Sequence, residues 1–266
     1  MRRRASTVTE IVEAYGDHPL QVGEWYVPTG EGAAATVVLI HGGFWGPRYD
    51  RELEHHVAKA LAERGYLCWN IDYRSGAEPW PATLSDVAAA YDHLQLTALA
   101  GRVDRLRVAV VGHSAGGHLA AWLASRHRLP DGAPGYNPDL LRPALAVPQA
   151  GVVALARAAA SKVGRGAPAG LIGGSTERYP ERWAAADPIA LLPTGVRSVL
   201  IHTERDRTVP LWQSRAYVEQ ATAAGDDSTL EVCRGDHFAH LDPKREACQR
   251  MFAALATMGS GSDDSQ

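Results

Sequence analysis

One serine in the sequence has the neighbours that a catalytic nucleophile needs. Ser114 lies in the segment GHSAGG, with Gly112 and Gly116 two residues away on either side. The run before it is apolar and the run after it is amphipathic, which predicts a turn from a strand into a helix. On such a sharp turn the residues at ±2 press against adjacent backbone, where only glycine avoids a collision. The alternative is a glycine-rich turn in which Ser114 merely caps the helix.

The same segment has part of the spacing of a phosphate-binding loop. Gly112 and Gly117 are separated by four residues, as in the pattern G-x-x-x-x-G-K-[ST]. The next residue is His118 rather than lysine, and no Ser or Thr follows it to bind a metal. The spacing therefore favours a nucleophile over a phosphate loop.

A serine hydroxyl becomes a strong nucleophile only when a base takes its proton, so the sequence must also supply a histidine and an acid. Asp206 follows a strand-like run in VLIHTERDRTVP, and His237 follows another in LEVCRGDHFAHLDP. The order Ser, Asp, His along the chain is typical of one class of hydrolases. We therefore predict that Ser114 is the nucleophile, Asp206 the acid and His237 the base.

Other acidic and histidine residues compete for these roles. Glu204 is closer to its strand than Asp206, which could instead be a solvated carboxylate or pair with Arg205 or Arg207. His240 is expected to lead into the next helix, and its HxxH spacing from the predicted base, without a third ligand, predicts no metal site.

Three further histidines are expected to have supporting roles. His113 precedes Ser114 and is expected to point away from it. His118 and His202 are expected to pack in the core or orient other groups.

Acyl transfer also requires N–H donors for the oxyanion of the transition state. The segment IHGGFW follows an apolar run, and its glycines allow the backbone to approach a ligand closely. We predict that Gly42, Gly43 and the N–H of Ala115 at the start of the next helix form this oxyanion hole.

The rest of the chain alternates strand-like and helix-like runs, which predicts an α/β fold with a mostly parallel central sheet of about eight strands and helices on both faces. TEIVEAYG and QVGEWYVP predict an opening hairpin. Further strands are predicted at 35–43, 66–74, 106–114, 144–153, 197–206 and 229–237, and helices at 50–64, 83–98, 115–127, 211–223 and 243–258. Ligands bind beyond the carboxyl ends of strands in such sheets, where the three catalytic candidates lie.

Composition excludes several classes of protein. The 266 residues carry a formal charge of −3 without a dense basic stripe, so nucleic acid is not an expected partner. No cofactor is expected. No run approaches the ~20 apolar residues of a membrane span. MRRR is basic, but no apolar stretch of signal-peptide length follows it, and the three cysteines form no CxxC pair. A cytoplasmic protein without membrane contact is expected, and a homodimer remains open.

Four motifs together, HGGFW, GHSAGGHLA, the Asp in HTERDRTVP and the His in GDHF, resemble the α/β-hydrolase superfamily. Within it they are similar to the hormone-sensitive-lipase-like esterases and kynurenine formamidases, over about residues 35–258. The resemblance implies the same nucleophile, acid, base and oxyanion donors as the residue argument. The sequence departs from the family at Thr203, where the family commonly has glycine.

The resemblance implies one α/β-hydrolase domain over 1–258 with a small cap or none. Residues 154–193 could form such a cap, and 259–266 are expected to be a disordered tail. Phe44, Trp45 and Tyr73 are expected to line the mouth of the site and bind a planar part of a small-molecule substrate.

The implied function is a serine hydrolase that cleaves a small carboxylic ester or an aryl formamide through an acyl-enzyme. The alternatives are a biosynthetic enzyme that uses the same triad for acyl transfer, cyclisation or elimination, a prolyl-peptidase-like hydrolase, and a ligand receptor. Receptors built on this fold generally lose a triad member, and all three candidate residues are present here.

Overall fold

The computed structural model describes residues 8–30, 33–76 and 80–258. The predicted disordered tail, 259–266, lies outside these residues. Within them, eight strands form one sheet in the order β1-β2-β4-β3-β5-β6-β7-β8. The strands are β1 (Thr9–Ala14), β2 (Val22–Val27), β3 (Thr36–Ile40), β4 (Leu67–Ile71), β5 (Val108–His113), β6 (Leu145–Gln149), β7 (Arg197–Thr203) and β8 (Ser228–Cys233).

The sheet is parallel except at one edge. β1 and β2 form the predicted antiparallel hairpin, and β2 also pairs antiparallel with β4. All other neighbouring strands pair in parallel. The carboxyl ends of β3, β5, β7 and β8 therefore lie along the same edge of the sheet. The predicted α/β class and mostly parallel sheet are confirmed.

Helices cover both faces of the sheet. The described residues form α1 (His55–Ala62), α2 (Ala82–Asp92), α3 (Ala115–Ser125), α4 (Leu155–Ala160), α5 (Ala167–Ile172), α6 (Pro180–Ala186), α7 (Trp212–Ala223) and α8 (Glu246–Ala256). None of them is long and apolar enough to cross a lipid bilayer.

Alternate residues of the central strands separate the core into two layers. Val37 and Leu39 of β3 pack in the layer that contains α1 and α8. Val38 and Ile40 point to the opposite face and pack with α2 and α3. Because the central strands are covered on both sides, their runs are almost continuously apolar, as the sequence indicates.

All five helices predicted from the sequence are shorter in the structure, the first two by at least five residues. The helix predicted at 50–64 begins with a 3₁₀ turn, Arg51–Glu54, before α1. The helix predicted at 83–98 ends at Asp92 and continues as a 3₁₀ turn, His93–Gln95. Beyond that turn the Thr97 hydroxyl donates to Glu13 and accepts the N–H of Leu99.

The segment 154–193 contains the short helices α4, α5 and α6, which pack on the α3 side of the sheet. Trp122 of α3 donates its indole N–H to the carbonyl of Ala185 over 2.8 Å. His118 Nε2 bonds to the carbonyl of Ala186 over 2.8 Å, in the supporting role predicted for it. The segment also reaches Phe44, because a Cβ on Gly164 would lie 2.7 Å from the Phe44 ring.

Candidate active site

Ser114 occupies a strained turn between β5 and α3. Its backbone has φ 58° and ψ −117°, a left-handed conformation that costs a non-glycine residue about 1–3 kcal/mol. The Ser114 N–H donates to the carbonyl of Gln149 at the end of β6 over 2.8 Å, and helix α3 begins at the next residue. The turn therefore holds the serine at the carboxyl edge of the sheet.

The glycines around Ser114 are required by close backbone contacts, as the sequence argument predicts. A Cβ on Gly112 would lie 2.1 Å from the carbonyl oxygen of Gly116. A Cβ on Gly116 would lie 1.9 Å from the carbonyl oxygen of Ile40 in β3. No real Cβ tolerates either distance, so the spacing G-x-S-x-G follows from the packing of α3 against β3 and β5.

Asp206 and His237 come together in loops that follow β7 and β8. His237 Nδ1 lies 2.7 Å from Asp206 Oδ2. Because a carboxylate oxygen only accepts, the His237 ring donates from Nδ1 and leaves Nε2 free to take a proton. His237 and Ser114 line the same cavity.

The other oxygen of Asp206 is held by backbone. Asp206 Oδ1 accepts the N–H groups of Thr208 and Val209, each over 2.8 Å. Burial raises the pKa of this carboxyl, but the hydrogen bond and charge of His237 together with the two N–H groups outweigh burial and lower the pKa below its usual value. Asp206 is therefore ionised at neutral pH and oriented toward His237.

His202 and Thr203, at the end of β7, brace these two loops. His202 Nε2 donates to the carbonyl of Val209 over 2.9 Å and lies 3.6 Å from Asp206 Oδ2. The Thr203 hydroxyl donates to the carbonyl of Asp236 over 3.0 Å. The threonine at the position where the family commonly has glycine thus fixes the residue before His237.

His113 does not point away from the site, contrary to the expectation. Its Nε2 lies 2.7 Å from the carbonyl oxygen of His237, and the two rings are 4.5 Å apart. The ring fits here because Gly42 has no side chain; a Cβ there would lie 3.3 Å from His113 Nδ1. Burial, followed by the charge of His237, lowers the pKa of His113 to about 3. His113 therefore supports His237 as a neutral hydrogen-bond donor.

His240 is buried behind these rings instead of leading into a helix. It belongs to a 3₁₀ turn, His237–Leu241, and its ring centre lies 5.6 Å from that of His113. In the described part of the chain, neither ring nitrogen of His240 has a hydrogen-bond partner. Burial, followed by the charges of the neighbouring histidines, lowers its pKa well below the ordinary value.

The HGG loop lies directly beside Ser114. A Cβ on Gly42 would lie 3.0 Å from the Ser114 Cβ, and Gly43 has φ +125°, a conformation suited to glycine. Ala115 is the first residue of α3, so its N–H has no partner within the helix. Gly42, Gly43 and Ala115 thus lie next to Ser114, and their role as oxyanion donors stays a prediction.

Only one of the three predicted substrate-binding residues lies in the cavity with Ser114. Phe44 lines it, whereas Trp45 and Tyr73 are 4% and 2% exposed and pack in the core. Trp45 makes an edge contact with His118, because φ values of 53° at Phe44 and 55° at Trp45 turn the chain inward. Trp45 also lines a second cavity together with Phe44, so its contact with substrate stays a prediction, as does that of Tyr73.

Tyr73 instead supports the HGG loop from below. Its hydroxyl donates to the carbonyl of His41 over 2.9 Å, and its ring stacks on the His41 ring with centres 4.3 Å apart. The His41 Nδ1 in turn bonds to the carbonyl of Gly42 over 2.8 Å. These contacts hold the loop that lies beside Ser114.

The cavity above Ser114 has a volume of about 250 Å³. Its wall is largely aromatic, and Phe238 at its rim is 54% exposed. The residues that line it are Gly43, Phe44, Arg48, Tyr49, Leu53, His113, Ser114, Thr208, His237 and Phe238. The space suits a small acyl or aryl group next to the serine hydroxyl.

Comparison with known proteins places the chain among esterase-like sequences. It is similar to two proteins of Mycobacterium tuberculosis. It is 29% identical to the probable carboxylic ester hydrolase LipM over 198 residues, 71% of this chain and 45% of LipM. It is 29% identical to esterase LipC over 252 residues, 87% of this chain and 60% of LipC. The chain thus spans about half the length of these curated relatives.

The fold is similar to that of a solved truncated form of a carbohydrate esterase from gut microbiota. The TM-score is 0.82 at 20% sequence identity, and the match covers 97% of this chain and 99% of that one. The family described as BD-FAE matches residues 24–220, well over half of the chain. The chain therefore belongs to the BD-FAE family and has the α/β-hydrolase fold that its four motifs resemble.

Proposed function

We propose that this protein is a serine hydrolase that cleaves small carboxylic esters through an acyl-enzyme. The observation that carries the proposal is the 2.7 Å hydrogen bond between His237 Nδ1 and Asp206 Oδ2, in a site where the same histidine shares a cavity with Ser114. The names of LipM and LipC, both ester hydrolases, support the same class of reaction.

In the first half of the reaction, His237 Nε2 takes the hydroxyl proton of Ser114 while Oγ attacks the ester carbonyl carbon. Asp206, ionised and oriented, stabilises the imidazolium that forms. The carbonyl oxygen becomes an oxyanion and accepts hydrogen bonds from the backbone N–H groups of Gly43, Gly42 or Ala115. The tetrahedral intermediate collapses, and the alcohol leaves with the proton from His237.

In the second half, water replaces the alcohol. His237 takes a proton from the water, which attacks the acyl carbon, and the carboxylic acid leaves as Ser114 recovers its proton. The cavity is small, so short acyl groups fit best. An aryl formamide would follow the same steps with an amine as the leaving group, so the substrate test includes one.

The decisive experiment compares the wild type with Ser114→Ala, using Ser161→Ala as the control because Ser161 is exposed and lies outside the cavity. The substrates are p-nitrophenyl acetate, a feruloyl ester and N-formylkynurenine. We expect Ser114→Ala to lose turnover and labelling by a fluorophosphonate, while its circular dichroism spectrum stays that of the wild type.

Two results would contradict this function. Fluorophosphonate labelling that persists in Ser114→Ala would remove the serine from its role. Release of alcohol without an equal amount of free acid, with the acyl group found on another acceptor, would identify an acyltransferase rather than a hydrolase.

A further inference from the structure

Arg48 contributes a positive charge to the wall of the cavity that contains Ser114. Its guanidinium carbon lies 5.3 Å from the centre of the Tyr49 ring, which is the range of a cation–π contact. The Tyr49 ring in turn packs on the HGG loop, because a Cβ on Gly43 would lie 3.0 Å from Tyr49 Cδ2. The Tyr49 ring therefore lies between Arg48 and Gly43 of the predicted oxyanion hole.

This arginine has no carboxylate partner among the described residues, although several others do. Arg51, three residues later, pairs with Asp72, and Arg126 pairs with Asp92. The Asp50 carboxylate, close to Arg48 in sequence, accepts the N–H of Glu52. The charge of Arg48 is thus left to solvent and to whatever enters the cavity.

Two more arginines line a cavity next to this one. A neighbouring cavity of about 470 Å³ shares Thr208, His237 and Phe238 with the first and is also lined by Arg205 and Arg207. No ion pair joins either arginine to a described carboxylate within 4 Å. One carboxylate, that of Asp236, also lines this cavity, and it accepts the N–H of Phe238.

We propose that the cavity binds aryl esters that carry a carboxylate in their acyl or alcohol part, and that Arg48 pairs with this carboxylate. A guanidinium offers a planar pair of donors that matches a carboxylate, and a pair formed next to aromatic walls is less screened than one in open water. Phe44, Tyr49 and Phe238 supply apolar walls for the ring.

The identity of the ligand as an ester rests on the proposed function, but the pairing with Arg48 needs no turnover. The two can therefore be tested separately.

The kinetic test uses two matched pairs of esters, and the readout is the rate of phenol release. For a charge on the alcohol part, 4-acetoxybenzoate is compared with methyl 4-acetoxybenzoate. For a charge on the acyl part, monophenyl isophthalate is compared with phenyl methyl isophthalate. In each pair, the anion preference is the kcat/KM of the charged ester divided by that of the neutral one.

We expect Arg48→Gln to lower the anion preference of at least one pair about tenfold at low ionic strength, and Arg48→Lys to retain part of it. Arg207→Gln removes the same charge from the neighbouring cavity and is the matched control; it should change the preference less than about threefold. An unchanged preference in Arg48→Gln for both pairs would overturn the inference. An equal loss of anion preference in Arg207→Gln would also overturn it, because any nearby positive charge would then have the same effect as Arg48.

The binding test uses the Ser114→Ala protein, which holds the ester without cleaving it. Both proteins, Ser114→Ala and the double variant Ser114→Ala/Arg48→Gln, are titrated calorimetrically with 4-acetoxybenzoate and with monophenyl isophthalate. For at least one ligand, the Kd of the double variant should be about tenfold larger. If binding depends on Arg48 but the wild type cleaves none of the four esters, the proposed hydrolysis fails and the anion site stands. If the esters are cleaved and the anion preference of neither pair depends on Arg48, the anion site fails and the hydrolase stands.

Discussion

His113 and His237 are joined by a hydrogen bond between the side chain of one and the main chain of the other. His113 Nε2 lies 2.7 Å from the His237 carbonyl oxygen. A carbonyl oxygen only accepts, so His113 carries its proton on Nε2. The residue before the candidate nucleophile therefore holds the backbone of the candidate base, which couples the ends of β5 and β8.

Loss of this bond should lower kcat more than it changes KM. We expect His113→Leu to lower kcat roughly tenfold, since about 1–1.5 kcal/mol is a typical net value for a hydrogen bond. His113→Gln retains an N–H donor and should recover part of the loss. Steady-state kinetics on p-nitrophenyl acetate measures both variants. Equal rates for His113→Leu and wild type would mean that the bond does not position His237.

The two histidines of HxxH should differ in kind. His237→Ala should lose about 10³-fold or more in kcat, because it removes the predicted base. His240→Ala should lower the free energy of unfolding because it leaves a cavity, and it should change kcat much less. Turnover and urea unfolding of both variants check this. A loss of kcat in folded His240→Ala as large as that in His237→Ala would reverse the assignment.

Buried histidines should make the protein less stable in mild acid. Burial lowers the pKa of His113 to about 3 and that of His118 to about 4, while an unfolded chain has histidine pKa values of about 6.5. Above about pH 6.5 these rings are neutral in both states. As pH falls below that, the unfolded state binds more protons, and each histidine lowers the free energy of unfolding by up to about 1.4 kcal/mol per pH unit.

His240 offers a direct check on this pH dependence. His240→Leu keeps a similar volume, removes two ring nitrogens that have no partner in the described part of the chain, and removes one proton from the balance. Its urea midpoint should therefore fall less steeply than that of the wild type between pH 6.5 and 5. Parallel curves for the two proteins would show that His240 takes up its proton in the folded state as well.

The glycines at the turn should tolerate no side chain. Gly116→Ala would place a Cβ 1.9 Å from the Ile40 oxygen, and Gly112→Ala would place one 2.1 Å from the Gly116 oxygen. We expect each to cost more than about 4 kcal/mol of stability or to prevent folding. Gly101→Ala is the control, since nothing lies within 4 Å of its Cβ position. Similar melting temperatures for Gly116→Ala and Gly101→Ala would contradict the packing described for α3.

Phe44 should limit the length of the acyl chain. It lines both the cavity with Ser114 and a second cavity of about 190 Å³ whose lining includes Ala167 and Leu171 of α5. Phe44→Ala should open the second space, and each further methylene buried there should raise kcat/KM about fourfold, from ~0.8 kcal/mol per methylene. A series of p-nitrophenyl esters measures the optimum, with Phe238→Ala as the control at the rim. An optimum at about eight carbons in the wild type would contradict the limit itself.

The fold could be predicted because its signals are local and repeated. Apolar runs alternate with helical ones, and the GHSAGG segment has one steric explanation, which the contacts of Gly112 and Gly116 confirm. The loops of Asp206 and His237 meet because parallel strands end at one edge. Their roles in the reaction stay predictions.

The direction of individual side chains could not be predicted from sequence. Trp45 follows the HGG loop in the sequence, and Tyr73 follows β4, the strand next to β3. Neither position tells which way the side chain points. Trp45 turns inward through two residues with positive φ, Phe44 and Trp45. Neither is a glycine, so their residue types do not indicate this conformation. The position of the His113 ring depends on the space left by Gly42 in the loop after β3, and the sequence pattern around His113 does not contain that contact.

The contact between Gly116 and Ile40 makes the main-chain spacing at the turn independent of the side chains that line the cavity. Main chain meets main chain there, so no side chain sets the distance between the turn of Ser114 and the HGG loop. The cavity-lining side chains of residues 44–53, and those of Arg205, Arg207 and Thr208 around Asp206, lie outside that contact. Substitution of these side chains, with Asp206 kept, can therefore exchange one substrate for another while the spacing on which the proposed reaction depends is inherited unchanged.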